Sequence, residues 1–240
     1  MSATLKYKKV LLKVSGEAMM GDTGFGIDPV TVSRICSDIK EGIDLGVKVG
    51  LVVGGGNIFR GVALAAKGAD RVSGDHMGML ATVMNAIALK MSLVDMGVPS
   101  VVLSAIEMSE ICEPFSQRAA EAYQAEGKVV IFAGGTGNPY FTTDTAAALR
   151  ACEMQCDALM KATQVDGIYT ADPQKDPNAE RFETITHEEV LSRGLEVMDA
   201  AAVSLTKDAE IPVVVFSLSQ AGGFAKILKG EGRSTTVIAK

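Results

Sequence analysis

The stretch Val47-Lys48-Val49-Gly50-Leu51-Val52-Val53-Gly54-Gly55-Gly56-Asn57-Ile58-Phe59-Arg60-Gly61 decides how the rest of the chain is read. Its first part, Val47 to Val53, is apolar-leaning and short, the form of a strand buried on both faces of a sheet. Three glycines follow. Residues without side chains let another molecule approach the backbone and leave amide N–H groups to point at an anion. The same glycines would also serve a tight turn after a buried strand. Arg60, whose fork of donors matches phosphate oxygens, tilts the reading toward an anion site.

Strand-like and helix-like patterns alternate on both sides of this stretch, which predicts an α/β fold: a three-layer αβα sandwich with a central, mostly parallel sheet. Lys9 to Val14 reads as the first strand, and Asp28-Pro29 supplies an N-cap and first-turn proline for a helix that Gly46 stops. A second helix, from near Asp75 to Gly97, carries Met77, Leu80, Met84, Ile87, Met91 and Val94 at spacings of three and four. It also carries Met79, Ala81, Ala86, Ala88 and Leu89. Being apolar on more than one side, it should be covered by two partners, and a subunit interface is one way to do that. Ser100 to Leu103, Val129 to Ala133, Ala158 to Thr163, Ile211 to Phe216 and Thr235 to Ile238 read as further strands. Helices are expected over Ser116 to Glu126, from Asp144 to about Gln155, after the Thr186/Glu189 capping box, and from Asp199. Thr170 to Arg181, with Asp172-Pro173 and Asp176-Pro177, is polar and turn-rich, a surface excursion or lid. No repeat or linker divides the chain, so residues 1–240 read as one domain.

Bulk composition narrows the function. With 240 residues, 48% of them hydrophobic and 22% charged, the chain can bury a sizeable core. A net charge of −6 argues against a sequence-independent grip on nucleic acid, which needs massed Lys and Arg. Cys36, Cys112, Cys152 and Cys156 show no C-x-x-C spacing, and only His76 and His187 could join them around a metal. Cys152 and Cys156 read as buried neighbours one helical turn apart. Lys13 and Glu17 interrupt the N-terminal apolar run, and Thr82, Asn85 and Lys90 interrupt Met77 to Val94, so neither a secretory signal nor a membrane span is expected and a cytoplasmic location is.

In a parallel sheet, ligands bind outside the carboxyl ends of the strands. Those ends here carry Lys13-Val14-Ser15-Gly16, the triple glycine with Arg60, the loop Gly134 to Asp144, and Lys161 to Gly167. Each has a plain alternative, a solvated strand end for Lys13 or a helix N-cap for Asp144, but together they converge on one edge. Rival chemistries lack their motifs. Phe59 breaks the dinucleotide fingerprint G-x-G-x-x-G, and neither a G-x-x-x-x-G-K-[ST] loop nor a G-x-S-x-G elbow occurs. Phosphoryl transfer remains, because it asks mainly for cations and backbone donors.

Five segments then carry a resemblance: Lys13-x-Ser15-Gly16-Glu17, Gly54-Gly55-Gly56-Asn57-x-x-Arg60-Gly61, Gly74-Asp75-His76-Met77-Gly78-Met79-Leu80-Ala81-Thr82, Gly137-Asn138-Pro139-x-Phe141-Thr142-Thr143-Asp144 and Val165-Asp166-Gly167-x-Tyr169-x-x-Asp172-Pro173. Together, and in this order, they resemble the bacterial uridylate (UMP) kinases of the amino acid kinase family. Departures are slight: Tyr140 stands where phenylalanine is common and Gln164 where lysine is.

The resemblance implies the amino acid kinase fold and ATP-dependent conversion of UMP to UDP. It further implies Mg²⁺ held chiefly by nucleotide oxygens and water, and a homohexamer activated by GTP and inhibited by UTP. Carried over residue by residue, the ATP site would be Lys13, Val14, Ser15, Gly16, Gly56, Arg60, Thr163, Tyr169 and Asp172. The UMP site would be Gly55, Asp75, Thr136, Gly137, Asn138, Pro139, Tyr140, Phe141, Thr142 and Thr143. Lys13, Lys161 and Arg60 would act on the phosphates, Asp144 would orient the lysines, and Asp75 would accept from the ribose hydroxyls. Gly21, Asp22, Thr23, Gly24, Phe25 and Gly26 match the segment tied to GTP activation. Two other readings stay open: an amino acid kinase acting on a carboxylate, and a catalytically silent nucleotide sensor.

Overall fold

A computed structural model describes residues 5–59, 70–173, 175–195, 197–218 and 222–239. Arg60, which the sequence reading placed on the phosphates, lies outside the described residues. Nine strands are described: β1 (Lys9–Val14), β2 (Lys48–Val53), β3 (Ser100–Ser104), β4 (Glu113–Pro114), β5 (Val129–Ala133), β6 (Ala158–Thr163), β7 (Thr184–Thr186), β8 (Val213–Ser217) and β9 (Ser234–Ile238). They form one sheet in the order β4-β3-β5-β2-β1-β6-β8-β9-β7. From β4 to β8 every pairing is parallel; β9 runs antiparallel to β8, and β7 lies parallel to β9.

Strand periodicity sorts the side chains. Val10, Leu12 and Val14 point to one face, where α1 (Pro29–Asp44), α2 (Arg71–Asp95) and α7 (Gly223–Leu228) supply Ile35, Leu89 and Phe224 to the core. Leu11 points to the other. There α3 (Gln117–Ala125), α4 (Thr143–Glu153), α5 (His187–Ser192) and α6 (Ala200–Asp208) supply Ala120, Ala148, Val190 and Val203. Each fully buried Leu or Ile, such as Leu12, Ile35 and Leu89, contributes about 1.5–3 kcal/mol of transfer free energy.

Several boundaries differ from the sequence reading for local reasons. Helix α2 starts at Arg71, four residues before Asp75, because the Asp70 side chain accepts from the Ser73 N–H and caps it there. Helix α4 is capped by Thr142, not by Asp144, which frees the Asp144 carboxylate for other partners. It ends at Glu153, so Cys156 is buried beyond it while Cys152 is only partly buried, and the two are not stacked on one helical face. The short edge strands β4 and β7 and the helix α7 had no signal strong enough to be noticed.

The apolar stripe read first on α2 faces outward. Met77, Leu80, Met84, Met91 and Val94 are about half exposed or more, whereas Met79, Val83, Ala86, Leu89 and Leu93 are buried against the sheet. By length and composition α2 could cross a bilayer. In the fold, however, it packs along β2, β3 and β5 and carries the fully buried amide of Asn85, the arrangement of a core helix.

Candidate active site

The chain leaves β1 toward β2 on one side and later crosses to β6 on the other, so the carboxyl ends of these three neighbouring strands mark where the sheet changes direction. Here β1 and β6 pair with Lys13 opposite Lys161, which sets two ammonium side chains next to each other on one face. Asp144, in the first turn of α4, reaches between them: Lys13 Nζ lies 2.9 Å from Oδ1 and Lys161 Nζ 2.8 Å from Oδ2. Two cations and one anion are thus packed with little water, for the side chains are only 11%, 15% and 16% exposed.

Burial pushes the Asp144 carboxyl upward, but the Lys13 and Lys161 charges outweigh it and hold the group below its ordinary 3.8. Burial pulls Lys161 below its ordinary 10.5; the Asp144 carboxylate opposes this fall and the Lys13 charge reinforces it. A surplus of positive charge remains, aimed at the strand ends. Lys161 also donates to the Val197 carbonyl. Two residues on, Asp199 caps α6 and accepts from the Thr142 and Thr145 hydroxyls, so the start of α6 is tied to the start of α4. The sequence reading saw Asp199 only as a cap, because its partners are more than fifty residues away.

The cluster stands between cavities. On one side lies a cavity of about 560 Å³ lined by Lys13, Ser15, Asp22, Lys161 and Thr163 among others. A neighbouring cavity of about 540 Å³, sharing Gln164 with it, takes in Tyr169, Asp166, Lys226 and Arg233. On the other side, a cavity of about 260 Å³ is lined by Gly55, Gly56, Asp75, Thr136, Phe141 and Thr143, with Phe59, Arg71 and Thr82. The N-terminus of α4 opens onto this last cavity, and with it the positive end of the helix dipole.

Close backbone approach explains the glycines. A Cβ on Gly16 would lie 2.5 Å from the Gly54 carbonyl oxygen, and one on Gly55 would lie 2.7 Å from that of Gly78 on α2. The loop after β2 is therefore pressed between the end of β1 and α2. Asn57 and Asn85 hold it there, exchanging amide hydrogen bonds of 3.0 and 2.7 Å; Asn85 also donates to the Gly54 carbonyl and Asn57 to that of Gly26. All four amide N–H groups are used. Sequence reading missed this pair, since nothing in the spacing of two asparagines 28 residues apart marks it.

Most predicted site residues do meet. Lys13, Asp144 and Lys161 form the cluster; Gly55, Asp75, Thr136, Phe141, Thr142 and Thr143 share one cavity; Ser15 and Thr163 share another. The loop Gly137, Asn138, Pro139, Tyr140 reaches the cavity of Gly55 and Asp75 through Tyr140, whose N–H donates to Asp75 Oδ2 at 2.7 Å. Gly56, read as part of the ATP site, lines the cavity of Gly55 and Asp75. Val14 turns its side chain into the core of the opposite face, so only its backbone is presented to a ligand. Asp172 sits apart in the polar excursion, ion-paired with Lys175 at 3.2 Å. Gly21 and Asp22 line the cavity of Lys13, and Gly26 is bonded to Asn57 in both directions.

Comparison with known proteins agrees with this geometry. The Amino acid kinase family model matches residues 8–217, which takes in the cluster. The uridylate kinase of Brucella anthropi is 66% identical over 237 residues, covering 99% of each chain, and that of Brucella abortus is 67% identical over 231 residues, covering 96% of each. Among solved structures, UMP kinase from Bacillus anthracis superposes with a TM-score of 0.93 at 35% identity, over 98% of this chain and 97% of its own. UMP kinase from Ureaplasma parvum gives 0.91 at 33%, over 98% and 100%. Two lysines bridged by one aspartate above a parallel sheet, in a sequence two-thirds identical to curated relatives along almost all its length, place the chain in the amino acid kinase family, among its uridylate kinases.

Proposed function

We propose that the protein transfers the γ-phosphoryl group of ATP to UMP, giving ADP and UDP, as a step of pyrimidine nucleotide synthesis in the cytoplasm. The observation that carries this reading is the Lys13–Asp144–Lys161 cluster, set between a cavity holding Ser15 and Thr163 and one holding Gly55 and Asp75. ATP occupies the first, with its base toward Tyr169, and UMP the second, so the phosphates meet over the lysines.

The chemistry needs no base. A phosphate monoester has a second pKa near about 6, so UMP is mostly a dianion at neutral pH and already a nucleophile. What the protein must overcome is repulsion between two polyanions and the charge that spreads over the transferred group. Lys13 and Lys161 supply the positive charge that offsets both. Asp144 keeps the two ammonium groups side by side, and the N-terminus of α4 adds backbone donors. Mg²⁺ would be held by nucleotide oxygens and water and would add positive charge at the phosphates, since both oxygens of Asp144 are engaged by lysine.

Regulation and assembly belong to the same reading. GTP activates through Gly21 to Gly26, whose bonds to Asn57 connect it with the glycine loop; UTP inhibits. A homohexamer would cover the outward apolar stripe of α2. Steady-state ADP release against UMP, CMP, dUMP and acetylglutamate, each with and without GTP and UTP, tests the whole reading. UMP-dependent release supports it. Release driven by acetylglutamate would make the protein a carboxylate kinase, and none with any acceptor would make it a sensor.

A further inference from the structure

Arg71 lies in the first turn of α2, one turn ahead of Asp75. Its Nε donates to both Asp75 carboxylate oxygens, at 2.8 and 2.9 Å. Its guanidinium carbon sits 5.5 Å from the centre of the Tyr140 ring, and the Tyr140 N–H donates back to Asp75 Oδ2. Three side groups from two elements therefore close a ring: guanidinium on carboxylate, carboxylate on backbone, aromatic face on guanidinium.

The conformation of Tyr140 marks this ring as something other than packing. Its φ is 72°, in the left-handed region that a bulky aromatic residue enters only when its surroundings impose it. The ring is 68% exposed, so the core does not impose it. Pro139 and Tyr140 form a turn whose second position takes a positive φ, and among the described residues Arg71 contacts the ring and Asp75 accepts from the N–H that this turn presents.

We propose that Arg71 is a positioning residue for acceptor recognition, which fixes the direction of the Asp75 carboxylate and the loop from Thr136 to Thr142, and thereby sets the preference for a ribonucleotide over a deoxyribonucleotide. The inference rests on the UMP reading above. A carboxylate offers about four acceptor positions, and the Arg71 and Tyr140 donors occupy three of them. Among the described residues the position left open is on Oδ1, and Asp75 and Arg71 both line the cavity of Gly55 and Thr136. A carboxylate pinned in this way cannot swing to rescue a sugar whose hydroxyl is missing or misplaced. One free to turn can. Such pinning also costs nothing at the moment of binding, since the acceptor loop is already in place.

The test is steady-state ADP release with UMP and with dUMP for the wild type, Arg71→Met and Arg71→Lys, beside thermal melting of each. Arg71→Met is expected to raise the KM for UMP by about tenfold, the size of one charge-assisted hydrogen bond. It should narrow the UMP-over-dUMP ratio of kcat/KM by about threefold or more while shifting kcat and the KM for ATP by less than about twofold. Arg71→Lys, which returns the charge without the fork, should recover part of the KM and little of the discrimination. Should Arg71→Met melt early, Arg71→Gln, which keeps a polar side chain but loses the guanidinium donor to both Asp75 oxygens, is expected to give the same split. Equal changes in kcat and both KM values with an unchanged UMP/dUMP ratio, or no change at all, would overturn the inference. A wild type that releases no ADP with UMP would instead overturn the function itself, a result visible before any variant is made.

Discussion

Removing the Lys13 ammonium tests the cluster most directly. On the proposed role, in which it acts on charge that develops during transfer, Lys13→Ala should lower kcat by about 10²–10³-fold while leaving the far-ultraviolet circular dichroism unchanged. Near-normal turnover in the purified variant would refute the role. The pH profile follows from the depressed Lys161: activity should fall on the alkaline side before pH 10.5, the ordinary lysine value. Asp144→Asn should move that fall to still lower pH, since the carboxylate is what sustains the proton; an upward move would contradict the assignment. On the acid side, Asp144 titrates below its ordinary 3.8, so its contribution to stability is whole above that pH and is lost as the pH drops through the lower folded value. At this scale the sequence was informative where chemistry depends on residue type at a strand end, as for Lys13 and Lys161. It was silent on Arg71, Asn85 and Asp199, whose roles come from partners brought close only by the fold.

Elements set how rigid the site is. The Asn57–Asn85 amide pair joins α2 to the glycine loop, and its four N–H groups are fully paired inside the protein. Asn85→Ala strands the Asn57 amide and the Gly54 carbonyl, at a cost of about 1–3 kcal/mol. Urea unfolding measures this, and a loss below about 0.5 kcal/mol would mean that the pair is not what fixes the loop. Gly55→Ala should raise the KM for UMP, because its Cβ would sit 2.7 Å from the Gly78 carbonyl oxygen and push the loop off α2. Periodicity located most strands and helices, with ends off by one to four residues where a cap lay outside the apolar pattern, as Asp70 does. It could not say which of two apolar faces of α2 meets the sheet. That choice is made by Met79, Ala86, Leu89 and Leu93, which pack against β2, β3 and β5, and it sends Met84 outward.

For the whole molecule, that outward face is the main unspent apolar surface, with Leu80 at 51%, Met84 at 54% and Met91 at 62% exposure. If the proposed hexamer forms through this face, Met84→Glu, placing a charge in its middle, should lower the mass measured by sedimentation velocity to a smaller species whose circular dichroism is unchanged. An unaltered mass would place the subunit contact elsewhere. The sheet ends on both sides in short strands. Its outermost strands are β4, two residues long, and β7, three residues long, so little hydrogen-bonding edge is offered to a neighbour. Copies of this protein are thereby steered away from joining strand to strand, and a concentrated solution should stay free of fibrils and thioflavin-positive deposits until the monomers themselves come apart.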